Sequence, residues 1–180
     1  MKSCYVKGSP RMELYVIRHA IAQQLGRKNE FLDEKRALTS EGRERMREAA
    51  KGLHRLGVEF DLILTSPLVR AVETAEIIST AMGLSKKEVE QTSNLAPDAS
   101  ASDLFAEIKR HTGVESIAIV GHQPDLGEII SKIVRGDGGL AIELKKGSVC
   151  CIKVTETVPT LRGSLTWLFA PKHLRLLAKA

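Results

Sequence analysis

The chain has 180 residues, which corresponds to about one globular domain. Hydrophobic residues make up 43% of the sequence and charged residues 27%, and this composition excludes a disordered chain, a collagen and a coiled-coil rod. The 27 Lys and Arg residues against 22 Asp and Glu residues leave a net charge of +5, which is compatible with an anionic partner without identifying one.

The first eleven residues differ from the rest in composition. They are rich in lysine and contain no apolar core, so we expect residues 1–11 to be an irregular leader or a cloning remnant, and residues 12–180 to form the domain. No run of about 18 apolar residues follows, so the sequence predicts no membrane span. Cys4, Cys150 and Cys151 lack the spacing of a disulfide framework or a zinc site, and reduced thiols favour a cytoplasmic protein.

The first predicted elements are a strand and a long helix. The strand is the short apolar run 13–17, which a polar stretch follows. A helix is predicted over 39–56, because Thr39 can cap it, apolar residues recur every three or four positions up to Leu56, and Gly57 can end it. The opposite face of this helix is rich in arginine, and we expect that face to be solvated.

The middle of the chain continues the alternation of strands and helices. The predicted elements are a strand over 62–65, a helix that opens at a Ser66-Pro67 cap and runs to Met82, a weaker strand over 89–92, and a helix over 103–111. In the last of these helices, the apolar positions are Leu104, Ala106 and Ile108.

The last third of the chain adds two strands that follow each other directly. The predicted elements are a strand over 116–120, a helix from Pro124 to Val134, a hairpin of strands over 149–154 and 165–169, and a short helix after Pro171. Strands that alternate with helices predict a single-domain, three-layer α/β/α fold with a mainly parallel sheet.

Polar residues follow three of the predicted strands at the point where each strand ends. These residues are Arg18-His19, then Thr65-Ser66-Pro67 with Arg70 one turn later, and Gly121-His122. Because ligands of an open α/β sheet bind in the crevice at the carboxyl ends of its strands, we expect the three turns to converge. Two arginines and two histidines with no acid in the same turns favour an anion, and a phosphoryl group fits the arginine fork and the helix N-termini.

The sequence disfavours several other ligand classes. It has no GxxxxGK[ST] loop and no GxGxxG loop, which argues against a nucleoside triphosphate or a dinucleotide. It has no HExxH and no clustered carboxylates, so we expect no metal ion and no cofactor. Aromatic residues make up only 4%, and no helix-turn-helix or RNA-binding signature is present, so we expect no nucleic-acid partner.

Together these residues resemble the histidine phosphatase superfamily, which also contains phosphoglycerate mutases and acid phosphatases. The resemblance rests on four elements in the family's order: Arg18-His19 after a strand, Arg36-x-Leu38-Thr39-x-x-Gly42, Thr65-Ser66-Pro67-x-x-Arg70-x-x-x-Thr74-Ala75, and Gly121-His122 after a strand. Each element lies at a strand or helix boundary, and the match runs from Met12 to about Val134. The resemblance implies a phosphoglycerate mutase-like fold.

The resemblance also implies a covalent, metal-independent mechanism and a role for each residue. His19 would attack phosphorus and form a phosphohistidine intermediate, which water then hydrolyses to release inorganic phosphate. Arg18 and Arg70 would bind the phosphoryl oxygens, and a protonated His122 would complete the pocket. Arg36 is a further candidate for substrate binding at the rim.

The chain departs from the family pattern in ways that indicate a subtype. Position 20 is alanine where the common triplet has glycine, and among acids only Asp98 lies where larger members place a general acid. The interval between Arg70 and His122 holds one helix and two strands, which leaves little room for a helical lid. The chain therefore resembles the small SixA-type phosphohistidine phosphatases, and the implied partner is a protein that carries phosphohistidine, such as a phosphocarrier or phosphorelay domain.

Two alternatives stay open at this point. One is a phosphatase of the same superfamily that acts on a small phosphoester or a metabolite of a nucleotide pathway. The other is a phosphate-binding module that keeps the pocket without turnover.

Overall fold

The structure is a computed structural model that describes residues 12–24, 30–111 and 113–179. The leader that the sequence predicts over 1–11 lies outside these residues. No helix in the described part of the chain is long and apolar enough to cross a bilayer.

A six-stranded sheet forms the middle layer, and four of its strands run parallel to one another. Its strands are β1 (Met12–Arg18), β2 (Leu62–Thr65), β3 (Val89–Gln91), β4 (Ser116–Gly121), β5 (Val149–Glu156) and β6 (Arg162–Phe169). They are ordered β3-β2-β4-β1-β5-β6, with β3, β2, β4 and β1 parallel. Strand β5 is antiparallel to β1 and forms the predicted hairpin with β6. The mainly parallel sheet expected from the sequence is confirmed.

In the part of the chain that the structure describes, five α-helices cover the two faces of this sheet. They are α1 (Ser40–Arg55), α2 (Val69–Met82), α3 (Ala101–Arg110), α4 (Asp125–Val134) and α5 (Pro171–Leu177). Leu14 and Val16 of β1 belong to the core shared with α3 and α4, whereas Tyr15 and Ile17 belong to the core shared with α1, α2 and α5. This alternation along the buried part of β1 produces the predicted three layers.

Helix α1 begins and ends as the sequence predicts. The Thr39 hydroxyl accepts a hydrogen bond from the Gly42 amide at 2.9 Å, and Gly57 follows the helix with a φ of +71°. Leu56, which the apolar stripe included, is 42% exposed because it lies beyond the last helical residue and has left the buried face. Gly52 allows α5 to cross α1 closely, since a Cβ there would lie 2.0 Å from the Leu174 carbonyl oxygen.

Two other helices differ from their predicted forms. Helix α2 begins at Val69 with Leu68 as its N-cap. The Ser66 hydroxyl, which was expected to be the cap, accepts from the Leu68 amide at 3.4 Å and also bonds His122 at 2.8 Å. Helix α3 begins at Ala101, two residues before the predicted start. Its buried face contains Leu104, Phe105 and Ile108. The predicted apolar member Ala106 is exposed, because a spacing of two residues places it on the opposite side of a helix from Leu104 and Ile108.

Candidate active site

The three polar turns meet at the carboxyl edge of the sheet. Arg18 pairs with Gly121 in the parallel register of β1 and β4, and the His19 amide continues the ladder by donating to the Gly121 carbonyl at 3.1 Å. On the other side of β4, the Ser66 amide donates to the Val120 carbonyl at 2.9 Å. Strand β4 is therefore the common support that brings residues distant in sequence to one place.

His19 lies directly after β1 and is only 6% exposed. Its Nδ1 lies 2.7 Å from the Ala20 carbonyl oxygen, which can only accept, so Nδ1 carries the proton and Nε2 keeps a lone pair. Burial lowers the pKa of His19 to about 3, and the positive charges of Arg70 and Arg18 act in the same direction. At neutral pH, His19 is therefore a neutral imidazole with an unprotonated Nε2, which is the form that a nucleophile requires.

The Ala20 backbone is itself held in place from α2. The Thr74 hydroxyl accepts a hydrogen bond from the Ala20 amide at 3.0 Å and donates to the Arg70 carbonyl at 2.7 Å. Thr74 is fully buried, so this hydroxyl links the turn after His19 rigidly to the helix that carries Arg70.

His122 faces His19, with 5.1 Å between the ring centroids. Its Nε2 lies 2.8 Å from the Ser66 hydroxyl, while its buried Nδ1 has no hydrogen-bond partner among the described residues. Burial lowers the pKa of His122 to about 4, and the charge of Arg70 adds to this effect. His122 is thus neutral before a phosphoryl group binds.

Arg18 reaches the pocket from the last position of β1. Its Nη1 donates to the Leu144 carbonyl at 2.6 Å, and its buried Nε has no partner in the described part of the chain. The Gly147 amide donates to the carbonyls of both Arg18 and His19, at 3.0 and 3.1 Å. The segment before β5 therefore holds this arginine and the neighbouring histidine in position.

Arg70 lies in the first turn of α2 and is 4% exposed. Two of its nitrogens bind Asp33: Nη1 donates to the main-chain carbonyl at 2.8 Å, and Nη2 donates to the carboxylate at 3.0 Å. Its buried Nε has no partner among the described residues. The ion pair with Asp33 fixes the guanidinium plane and leaves the Nε edge available to a ligand.

Asp33 is a site residue that the sequence reasoning missed. It lies in the 3-10 turn Glu30–Lys35, where its carboxylate accepts from Arg36 Nε at 2.6 Å as well as from Arg70. Burial alone would raise the pKa of Asp33, but the hydrogen bond from Arg36 and the charge of Arg70 lower it, so Asp33 is ionised. The spacing of Asp33 and Arg36, one turn apart in a helical segment, is the sequence signal that could have found this pair.

The two weaker candidates, Arg36 and Asp98, differ in how they are connected to the site. Arg36 is joined to the site through Asp33, and its Nη1 donates to the Gln23 carbonyl at 2.9 Å. Asp98 is exposed, and its backbone amide donates to the Asp125 carboxylate at 3.3 Å. Within the described residues, no hydrogen bond or ion pair joins the Asp98 side chain to the four central residues. Burial raises the pKa of Asp125, the first residue of α4.

Three side-chain nitrogens of the central residues have no hydrogen-bond partner among the described residues. These atoms are Arg18 Nε, Arg70 Nε and His122 Nδ1, all of them buried. Leaving a buried donor without a partner costs roughly 1–3 kcal/mol, and an anion with several oxygens would satisfy all three at once. Among the described residues, no group of three or more His, Cys, Asp or Glu side chains is arranged to hold a metal ion. The arrangement suits the binding of a tetrahedral oxyanion beside an imidazole nucleophile.

Comparisons with known proteins agree with this chemistry. Residues 14–97 match the family model described as the histidine phosphatase superfamily (branch 1). An uncharacterized protein of Picosynechococcus sp. is 40% identical over 140 residues, which are 77% of this chain and 82% of that protein. The phosphohistidine phosphatase SixA of Escherichia coli K12 is 24% identical over 94% of this chain and 99% of its own length.

A solved structure has the same fold along nearly the whole chain. The structure of the protein histidine phosphatase SixA complexed with tungstate superposes with a TM-score of 0.79 at 24% identity. The superposition covers 91% of this chain and 99% of that protein.

Proposed function

The chain belongs to the histidine phosphatase superfamily and is a phosphatase, and we propose that it removes the phosphoryl group from a phosphohistidine on a partner protein. In this proposal, His19 is the nucleophile, Arg18, Arg70 and His122 bind the phosphoryl oxygens, and Arg36 contributes at the rim through Asp33. The proposal includes the cytoplasmic location expected from the sequence, with Cys150 and Cys151 buried as free thiols.

The observation that carries the proposal is the set of buried donors without a partner among the described residues, on side chains whose charges or rings act on an unprotonated His19. Arg18 Nε, Arg70 Nε and His122 Nδ1 are donors of the kind that phosphoryl oxygens bind, and the neutral imidazole of His19 is the group that can attack phosphorus. The Ser66 hydroxyl can donate to His122 Nε2, and this bond leaves the proton of the neutral ring on Nδ1, the atom without a partner.

The proposed reaction has two displacement steps. In the first, the lone pair of His19 Nε2 forms a bond to phosphorus while the bond from phosphorus to the substrate imidazole breaks, and the electron pair of that bond leaves with the imidazole. In the second, a water molecule attacks the same phosphorus, the bond to His19 breaks, and inorganic phosphate is released. In both steps Arg18 and Arg70 stabilise the charge that develops on the phosphoryl oxygens.

The protonation states of the pocket favour phosphohistidine over an ester as substrate. An ester releases an alkoxide, which needs a proton from a nearby acid. His19 is neutral at pH 7 and Asp33 is ionised, so neither group has such a proton to give. His122 is neutral in the empty pocket, and a proton that it takes up when substrate binds would lie on Nε2, which is 2.8 Å from the Ser66 hydroxyl. When the phosphohistidine is protonated on its second ring nitrogen, its imidazole leaves as a neutral ring. This leaving group does not require a proton from an acid in the pocket.

The test is the release of phosphate from a phosphohistidine-bearing phosphocarrier, with EDTA present, compared with p-nitrophenyl phosphate. We expect hydrolysis of the phosphoprotein, loss of that activity in His19→Ala, and full activity in the matched control His54→Ala, which replaces an exposed histidine on the far part of α1. Rapid acid-free quenching of a reaction with labelled substrate should trap the label on wild-type protein and not on His19→Ala.

Three results would contradict the proposal. Rapid turnover of small esters with none of the phosphoprotein would assign a small-molecule substrate. Binding of phosphate or tungstate without turnover of either substrate would indicate a phosphate-binding module. Retained activity in His19→Ala would exclude the proposed nucleophile.

A further inference from the structure

The segment between α4 and β5 is bonded directly to the strand that carries the pocket residues. The buried Leu144 accepts a hydrogen bond from Arg18 Nη1 through its carbonyl, and the Gly147 amide donates to the carbonyls of Arg18 and His19. These anchors fix the turn between positions 144 and 147 against the site edge of the sheet, so side chains in this turn have a defined position relative to the pocket.

Lys145 and Lys146, which we call the lysine pair, lie between these two anchors and are exposed. Lys146 lines a small cavity together with Ala20, the residue after the proposed nucleophile. Because the residues on either side of the pair bond Arg18 and His19, the pair lies beside these two residues at the edge of the site, a position that we call the mouth of the pocket.

The charges of the lysine pair are not compensated within the described residues. No hydrogen bond or ion pair there involves either lysine side chain, whereas the neighbouring Arg45 is paired with Glu41 on α1. Glu143 is the acid of the same segment, and its charge acts on Arg18: burial lowers the pKa of that guanidinium, and Glu143 opposes the effect. Two cations at the mouth thus remain free for a charge on another molecule.

We propose that the lysine pair is a docking patch for acidic residues that flank the phosphohistidine on the partner protein. This inference rests on the proposed function. The phosphoryl group would be held by the buried donors, so the pair is left to contact groups of the partner outside the phosphoryl group. Carboxylates on the partner surface match two exposed ammonium groups, and such contacts act mainly on the rate of encounter.

The proposal predicts that the lysine pair affects kcat/KM for a phosphoprotein more than kcat/KM for a small substrate. A small phosphoester is covered by the pocket and has no carboxylates to place on the lysine pair, whereas a phosphoprotein has a surface that extends over the mouth. Reversal of the two charges should therefore lower the kcat/KM for an acidic phosphocarrier much more than the kcat/KM for p-nitrophenyl phosphate.

The test uses the double variant K145E/K146E and a matched control, K86E/K87E. Lys86 and Lys87 are also adjacent and exposed, but they precede β3 and so lie at the opposite edge of the sheet from the pocket. The ratio of kcat/KM for the phosphocarrier to that for p-nitrophenyl phosphate should fall roughly tenfold or more in K145E/K146E and stay near the wild-type ratio in the control. Added salt should lower the wild-type ratio and have little effect on the ratio of K145E/K146E.

The outcomes separate this inference from the function on which it rests. If wild-type protein hydrolyses the phosphocarrier and both double variants have the same ratio, the docking patch is excluded and the proposed function stands. A parallel loss on both substrates in K145E/K146E also excludes the patch, because it would report damage to the pocket. If wild-type protein does not hydrolyse the phosphocarrier, the proposed function fails and this inference fails with it.

Discussion

Lowering the pH from 7 to 5 should destabilise this protein through His19 and His122. An imidazole in the unfolded chain has a pKa near 6.5, whereas burial in the folded state lowers the pKa to about 3 for His19 and about 4 for His122. The unfolded state therefore binds protons first as the pH falls. The stability that these neutral rings provide is present above about pH 6.5 and is lost progressively down to their folded-state pKa values.

The size of the effect follows from the two pKa shifts. Between pH 7 and pH 5, each ring takes up a proton in the unfolded state and stays neutral in the folded state. This difference lowers the free energy of unfolding by about 2 kcal/mol per histidine and about 4 kcal/mol for both. Since domains of this size unfold with roughly 5–15 kcal/mol, this is a large part of the total stability.

The assay is urea denaturation at pH 7 and at pH 5, analysed as the difference in unfolding free energy between the two pH values. His19→Asn and His122→Asn should each reduce this difference by about 2 kcal/mol, because asparagine does not titrate. At position 19, the amide can still donate to the Ala20 carbonyl. His54→Asn, at an exposed position on α1, is the control and should retain the wild-type difference. Equal differences in wild type and in both pocket variants would refute the argument that these rings are buried in neutral form.

Three further predictions concern residues around the pocket and the core. Gly52→Ala should destabilise the fold by roughly 1–3 kcal/mol in urea denaturation, despite the higher helix propensity of alanine, because the new Cβ would lie 2.0 Å from the Leu174 carbonyl oxygen. Thr74→Val removes the hydroxyl that joins Ala20 to α2 and should lower kcat, with recovery in Thr74→Ser; equal kcat in both variants would contradict this role. Asp33→Asn keeps an acceptor for Arg70 but removes a negative charge beside the pocket, so the inhibition constant of inorganic phosphate should fall by roughly threefold to tenfold, and an increase would contradict the assignment.

The strands at the centre of the sheet could be predicted because their signals are local. Strand β2 has the predicted bounds, since Leu62–Thr65 is a short apolar run between turn residues, and β4 extends the predicted strand by Gly121 alone. The polar residues after these strands were also apparent, because every parallel strand of an α/β sheet delivers its next residues to the same edge.

The features that the sequence did not reveal depend on contacts between distant residues. Ser66-Pro67 has the local pattern of a helix cap, but the Ser66 hydroxyl bonds His122, which is 56 positions away, and α2 begins later. Asp33 bonds Arg70 at a separation of 37 positions, and no local pattern indicates that an acid from the polar stretch folds onto the pocket. Such pairings become visible only once the sheet has brought the turns together.

The low pKa of His19 and its proposed role as a nucleophile have one physical origin. Burial beside Arg70 and Arg18 disfavours a further positive charge on the ring, which keeps Nε2 unprotonated, and the same arginines would bind the phosphoryl oxygens. A bound phosphoryl group would bring negative charge next to His122 and raise its pKa, so this imidazole would take up a second proton, on the Nε2 beside the Ser66 hydroxyl, only when an anion is bound. The empty pocket would therefore keep its nucleophile His19 neutral, and the additional positive charge would appear on His122 only after substrate binds. The two-step displacement needs both: a neutral imidazole for the attack and positive charge beside the phosphoryl oxygens during it.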